Sequence, residues 1–170
     1  MNKLFDVKKK QHKTNYLVGI ISDTHGFLPP GAVKTFQGTD LIIHAGDIGK
    51  LDILEALQSI APVVAVQGNM DYGEWTDDLA QTEVVEVGEV LLYVLHDVYQ
   101  LDVEPSAAGF SAVISGHSHR PSVEDVRGVL FLNPGSAGQP RHGYPASVAL
   151  LQIHGTYLDA QFVELEGVSL

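Results

Sequence analysis

An α/β protein is predicted by three features of the 170-residue chain. Short apolar runs alternate with helical stretches over its first part, hairpin signals follow one another over its second, and 45% of its residues are hydrophobic, which is ordinary for a protein with a packed core. Taken in order, Tyr16 to Ser22, Leu41 to His44 and Pro62 to Val66 are runs of the kind buried on both faces, each bounded by Gly, Asp or Pro, and are read as central strands. Between them Gly31 to Gln37 and Lys50 to Ile60 have helical length. In the second, Leu51, Leu54, Leu57 and Ile60 repeat at intervals of three, which suits one buried face. After a polar stretch at Tyr72 to Gln81 come paired strands at Thr82 to Val87 and Val90 to Leu95 about Gly88. A strand at Ala112 to Ile114 follows a short helix near Glu104 to Gly109. Ser122 to Val126 and Val129 to Leu132 turn at Arg127-Gly128, and Ser147 to Ile153 and Tyr157 to Leu165 turn at His154-Gly155-Thr156.

The chain carries 10 basic and 21 acidic residues, a net charge of −11, so neither general nucleic-acid binding nor adhesion to anionic lipid is expected. Residues 1–14 hold five lysines (Lys3, Lys8, Lys9, Lys10, Lys13) against Asp6 and read as a flexible, solvated leader to a single domain over 15–170. The apolar run Tyr16 to Ile21 is too short for a secretory signal, and no segment approaches the roughly 18–20 apolar residues of a membrane span. A cytoplasmic protein without a membrane partner is the expectation, and a homo-oligomer is compatible with it. Cysteine is absent while histidine occurs eight times. This excludes disulfides, thiolate zinc sites, iron–sulfur clusters and Cys nucleophiles, leaving imidazole and carboxylate as the metal-binding chemistry.

Chemistry-bearing residues follow the apolar strands. Asp23-Thr24-His25, His44-Ala45-Gly46-Asp47, Gly68-Asn69-Met70-Asp71, His96-Asp97 and Gly116-His117-Ser118-His119 each begin where a strand ends. In an open α/β sheet such loops converge on one crevice. In an extended segment positions i and i+2 point the same way, so Asp23 with His25, and His117 with His119, can each present two side chains together. With Asp47, Asn69 and His96 these make seven ligands, more than one four-coordinate ion needs and about what two ions sharing a carboxylate use. The mixed nitrogen and oxygen donors suit manganese, nickel, iron, zinc or cobalt better than calcium. Singly, each element has a plainer reading: Asp23 caps a turn, Gly46-Asp47 and Gly68-Asn69 are turns, and His96 is a satisfied core histidine. Those readings would have to hold at five strand ends together.

The ordered set Asp23-x-His25, Gly46-Asp47, Gly68-Asn69, His96 and Gly116-His117-x-His119, with the later Asn133-Pro134-Gly135-Ser136, resembles the calcineurin-like metallophosphoesterases, in particular their small single-domain bacterial and archaeal phosphodiesterases. The resemblance runs from about Val18 to Ser136. It implies an αββα sandwich of two mixed sheets flanked by helices, and a pair of divalent transition-metal ions with manganese the first candidate. Asp23, His25, Asp47 and His119 would hold one ion, Asp47 would bridge, and Asn69, His96 and His117 would complete the second. It further implies hydrolysis of a small phosphodiester or nucleotide-like substrate by a hydroxide shared between the ions, with Asn69 also bonding the phosphoryl group and the Asn133 to Ser136 turn supporting the site through its backbone. Many phosphatases of the family carry a histidine after the motif asparagine. Met70 stands there and cannot transfer a proton, which favours diesters and acidic leaving groups over phosphomonoesters. The alternative the resemblance allows is a catalytically weak scaffold or binding protein, the use a retromer subunit makes of this fold. His44, Arg141 and His142 are lesser candidates for substrate contact, and Trp75 for stacking on a base.

Overall fold

A computed structural model describes residues 5–6 and 13–168. The strands are β1 (Phe5–Asp6), β2 (Asn15–Ile21), β3 (Leu41–His44), β4 (Val63–Ala65), β5 (Thr82–Val87), β6 (Val90–Leu95), β7 (Ala112–Ile114), β8 (Ser122–Val126), β9 (Val129–Asn133), β10 (Ser147–His154) and β11 (Tyr157–Glu164). The helices are α1 (Pro30–Thr35) and α2 (Leu51–Gln58). One sheet has the order β11-β10-β2-β3-β4 and the other β1-β5-β6-β7-β9-β8. Both are mixed: β2, β3 and β4 run parallel, as do β6, β7 and β9, while β10 is antiparallel to β2 and β11, β5 to β6 and β8 to β9.

Strand alternation explains how the sheets stack. Val18, Ile20, Leu41 and Ile43 point inward to meet Val85, Leu92, Val94 and Ile114 of the other sheet in one buried cluster. Ile21, Ile42 and Val148 point the other way, against Phe36, Ile53, Leu54 and Leu57. The helical layer therefore covers the five-stranded sheet, as a sandwich requires. Over the six-stranded sheet the outer layer is irregular: Tyr93, Leu95 and Val113 are covered by Val98, Leu101, Val103 and Phe110.

Several expectations are corrected in detail. The segment near Glu104 to Gly109 forms no α-helix; the Ala108 N–H reaches the Glu104 carbonyl at 3.0 Å, a turn that is not continued, because Pro105 and Gly109 punctuate it. In α2 the buried stripe is Ile53, Leu54 and Leu57 rather than one through Leu51, which is 42% exposed, since a period of 3.6 carries a strict three-residue spacing off the face. Short 3₁₀ turns at Glu74–Thr76 and Val98–Gln100 lie where no element was expected. The leader expected over residues 1–14 falls mostly outside the described residues; Phe5–Asp6 pairs in parallel with β5. No helix among the described residues is long and apolar enough to cross a membrane.

Candidate metal centre

The parallel strands β2, β3 and β4 of one sheet and β6, β7 and β9 of the other end side by side, and the loops leaving them are stitched together by main-chain bonds. The Asp23 N–H donates to the Gly46 carbonyl at 3.0 Å, the His25 N–H to Asp47 at 2.9 Å and the Gly116 N–H to His96 at 2.9 Å. The sheets are joined at Asp23 itself. Its Oδ2 accepts the His117 N–H at 3.0 Å and the Ser22 hydroxyl at 2.7 Å, leaving Oδ1 to face the imidazoles.

Around Oδ1 stand His119 Nε2 at 3.3 Å, His25 Nε2 at 3.7 Å and His96 Nε2 at 4.0 Å. Asp47 Oδ2 lies 3.3 Å from His96 Nε2 and 3.6 Å from His25 Nε2. His25 and His119 turn ring nitrogens toward each other at 3.3 Å. His96 Nδ1–H donates to the Ala45 carbonyl and His119 Nδ1–H to that of Gln139, each at 2.7 Å, which directs both Nε2 lone pairs into the cluster. Asp23–His25–His119 and Asp23–Asp47–His96 are the two compact ligand groups. Asp23 belongs to both groups, and Asp47, a member of the second, reaches His25 of the first at 3.6 Å. Asn69 and His117 sit beside them as an exposed pair, Oδ1 to Nδ1 at 3.1 Å.

The side chains converge by a route other than the extended one expected. Asp23, His25, Asp47, His117 and His119 have φ of 54°, 46°, 54°, 69° and 58°, and they are five of the seven non-glycine residues with left-handed backbone among the described residues. Each such residue costs about 1–3 kcal/mol, and clustering of this kind marks a functional site. Close approach is enforced by glycine at two points. A Cβ on Gly116 would strike Ser22 Oγ, and one on Gly68 would strike the Asp47 N and Oδ1.

Electrostatics follow the geometry. Burial pushes the Asp23 carboxyl up, but the imidazoles of His119 and His25 more than offset this and hold it well below the usual carboxylate range. Burial also raises Asp47, and His96 with the Met70 N–H at 2.8 Å outweighs it, so this carboxyl too lies low. For His96 and His119 burial favours the neutral ring, yet Asp47 and Asp23 respectively draw the pKa upward.

His44, expected to touch substrate, is fully buried. Its Nδ1 accepts the Gly46 N–H at 3.1 Å, so Nε2 carries the proton and donates to Thr24 Oγ1 at 2.9 Å; that hydroxyl donates to the Ile48 carbonyl at 2.8 Å. The ring therefore ties the first loop to the second. Burial pushes its pKa down to about 3, against about 6.5 in an unfolded chain. Between these values the unfolded chain binds more protons, so this contribution to stability is present above pH 6.5 and lost as pH falls, by up to about 1.4 kcal/mol per pH unit. The advantage of the native chain over His44→Gln, from urea midpoints, should shrink between pH 7 and pH 4.5; a constant advantage would contradict the assignment.

Arg141 and His142 are exposed, Arg141 bonding Gln139 Oε1 at 2.9 Å and His142 lining a groove beside His117. Trp75 is half-buried against the helical layer with Leu79, away from the cluster, because its 3₁₀ turn folds it inward. Asp71 closes the Gly68-Asn69-Met70-Asp71 motif, where the sequence alone assigns it no chemistry. It is buried, and accepts the N–H groups of Ile48 at 3.2 Å, Gly49 at 2.9 Å and Gly68 at 2.9 Å, clasping the second loop to the third. Asp71→Asn turns an amide donor toward those donors and should weaken metal affinity by about tenfold, read by calorimetry; unchanged affinity would remove the clasp from the site. The Asn133 to Ser136 turn acts through side chains more than was expected: Asn133 Nδ2 donates to the Gly116 carbonyl at 2.8 Å and Ser136 Oγ to that of Asp23 at 2.8 Å.

A two-sheet sandwich with buried carboxylates and imidazoles at its strand ends defines a class of metal-binding α/β proteins. The profile of the calcineurin-like phosphoesterase superfamily domain matches residues 16–156. A probable metallophosphoesterase from Methanothermobacter thermautotrophicus is 39% identical over 158 residues, 86% of this chain and 91% of its own length. The solved structure of an archaeal phosphodiesterase superposes with a TM-score of 0.72 at 25% identity, covering 86% of this chain and 99% of that one. Vacuolar protein sorting 29 from Cryptosporidium parvum shares the fold at a TM-score of 0.74 and 20% identity, over 90% of this chain and 99% of its own. The chain belongs to the calcineurin-like phosphoesterase superfamily, and its two mixed sheets are those of that fold.

Proposed function

We propose that this protein is a dinuclear metal-dependent phosphodiesterase. One observation carries the reading: ligand-type residues held in left-handed backbone surround two buried atoms, Asp23 Oδ1 and His96 Nε2, that have no well-directed hydrogen bond. A cation satisfies both atoms and the converging imidazoles. Asp23, His25, Asp47 and His119 would hold one ion, and His96, Asn69 and His117 a second beside Asp47, with manganese the first candidate. Bound there, divalent ions polarise phosphoryl oxygens and lower the pKa of water enough to supply a nucleophile at neutral pH.

The protein's own groups do the rest. The Asn69 amide, exposed at the rim, is placed to donate to a phosphoryl oxygen. Met70 gives its N–H to Asp47 and leaves its side chain 53% exposed, where it supplies no proton to a leaving alkoxide. General acid catalysis is typically worth roughly 10²–10⁴, so diesters with acidic leaving groups are the substrates that tolerate its absence. Turnover separates this reading from that of a metal-binding scaffold. Protein loaded with manganese is expected to bind two ions and to hydrolyse bis(4-nitrophenyl) phosphate; fewer than two ions, or no turnover, would overturn the proposal.

A further inference from the structure

Two grooves of different chemistry open on either side of His117 and Asp97, which line both. One, of about 840 Å³, is walled by Tyr99, Tyr144 and Phe131, with Arg120 set against Asp97 and Glu124. The other, of about 490 Å³, carries the amides of Gln67, Gln81 and Gln100 beside Asp97 and Asp102, and neither Lys nor Arg lines it.

Tyr99 stands out because it is 94% exposed on a backbone that is pinned. Its N–H donates to Asp97 Oδ1 at 3.0 Å, capping a 3₁₀ turn whose Val98 and Leu101 pack into the layer over the six-stranded sheet. A ring held in water on a rigid turn, in a groove that the 39% exposed Tyr144 also lines, is a stacking surface without an aromatic partner among the described residues. Asp97 and Glu124 outnumber Arg120 in its groove, and the other groove is acidic, so neither groove receives a further phosphate.

We infer that the substrate is a phosphodiester whose one ester arm is an uncharged aromatic heterocycle of nucleoside type, stacked in the Tyr99–Tyr144 groove, and whose other arm is a polar alcohol without a second phosphate, held by the glutamine groove. This rests on the phosphodiesterase reading and deepens it. The reacting phosphoryl group lies where the grooves meet, at His117.

The test compares adenosine 5′-(methyl phosphate) with its ring-free counterpart, glycerol methyl phosphate, on the manganese-loaded protein, by chromatographic assay and by saturation-transfer NMR binding. The ring-bearing diester is expected to be preferred about tenfold or more in kcat/KM and in affinity. In Tyr99→Ala and Tyr144→Ala the ratio between the two probes should collapse toward one, and a methyl ester of adenosine 5′-diphosphate should bind no better than the monophosphate diester. Equal handling of both probes, or an unchanged ratio in both variants, overturns the inference while leaving the phosphodiesterase reading intact. Hydrolysis of neither probe, nor of bis(4-nitrophenyl) phosphate, counts against the reading itself, and the binding ratio then still decides the aromatic groove.

Discussion

Asp47→Ala is expected, on the proposed dinuclear reading, to lower metal-dependent diester hydrolysis by about a thousandfold or more and to reduce the bound metal. Loss of roughly 4 kcal/mol of charge stabilisation corresponds to that factor. The size follows from position. Asp47 Oδ2 stands within 3.6 Å of both His25 and His96, so its removal takes a ligand from both halves of the cluster at once. Two lesser costs travel with it: Oδ1 gives up the Met70 N–H, and alanine replaces a residue at φ 54°, where alanine is the poorer occupant. Asp47→Asn separates them, since it keeps an oxygen and tolerates the left-handed backbone while losing the charge. If the alanine variant retained native metal content and rate, Asp47 would have no place among the ligands.

Gly116→Ala should also be damaging, although it removes nothing. The added Cβ strikes Ser22 Oγ and lies 2.7 Å from Asp23 Oδ2, and neither atom has room to yield. Asp23 Oδ2 is held by Ser22 and the His117 N–H, while Gly116 itself is pinned by its bonds to His96 and Asn133. Overpacking of this kind costs about 1–3 kcal/mol, and displacing a ligand's support typically costs about 10–100-fold in metal affinity. Adding Ser22→Gly should restore part of both losses, because it empties the space the methyl needs. A Gly116→Ala protein with native melting temperature and affinity would show that the two sheets do not meet closely here.

The positions of the site were legible because chemistry and periodicity break at the same residues. Each of His25, Asp47, Asn69, His96, His117 and His119 lies within a few residues of an apolar run whose end is plain, and strands β3, β5, β6, β7 and β8 stand where the runs stand. Local conformation was less legible. Asp23-x-His25 and His117-x-His119 suggested extended pairs, whereas main-chain bonds from other loops hold these residues left-handed, a constraint set by partners distant in sequence. His44 illustrates the same limit: beside a ligand motif it reads as a substrate contact, and only the Gly46 N–H and Thr24 hydroxyl show both its nitrogens to be taken. The helix expected near Glu104 and the unforeseen turn at Val98 differ from expectation because the outer layer of that sheet is set by where Val98, Leu101 and Phe110 can be buried, not by local periodicity.

The bond from Ser136 Oγ to the Asp23 carbonyl spans 113 residues of chain. All seven expected ligands have been synthesised once His119 leaves the ribosome, yet the groups that hold Asp23 and His119 in place, Ser136 and the Gln139 carbonyl, come later, and the sheet neighbour of β2 later still, at β10. Closing so long a loop is entropically slow and favours folding as a late, cooperative event. A nascent or truncated chain ending after His119 would therefore carry the full ligand inventory without an organised site, and metal capture would wait until β10 has joined β2.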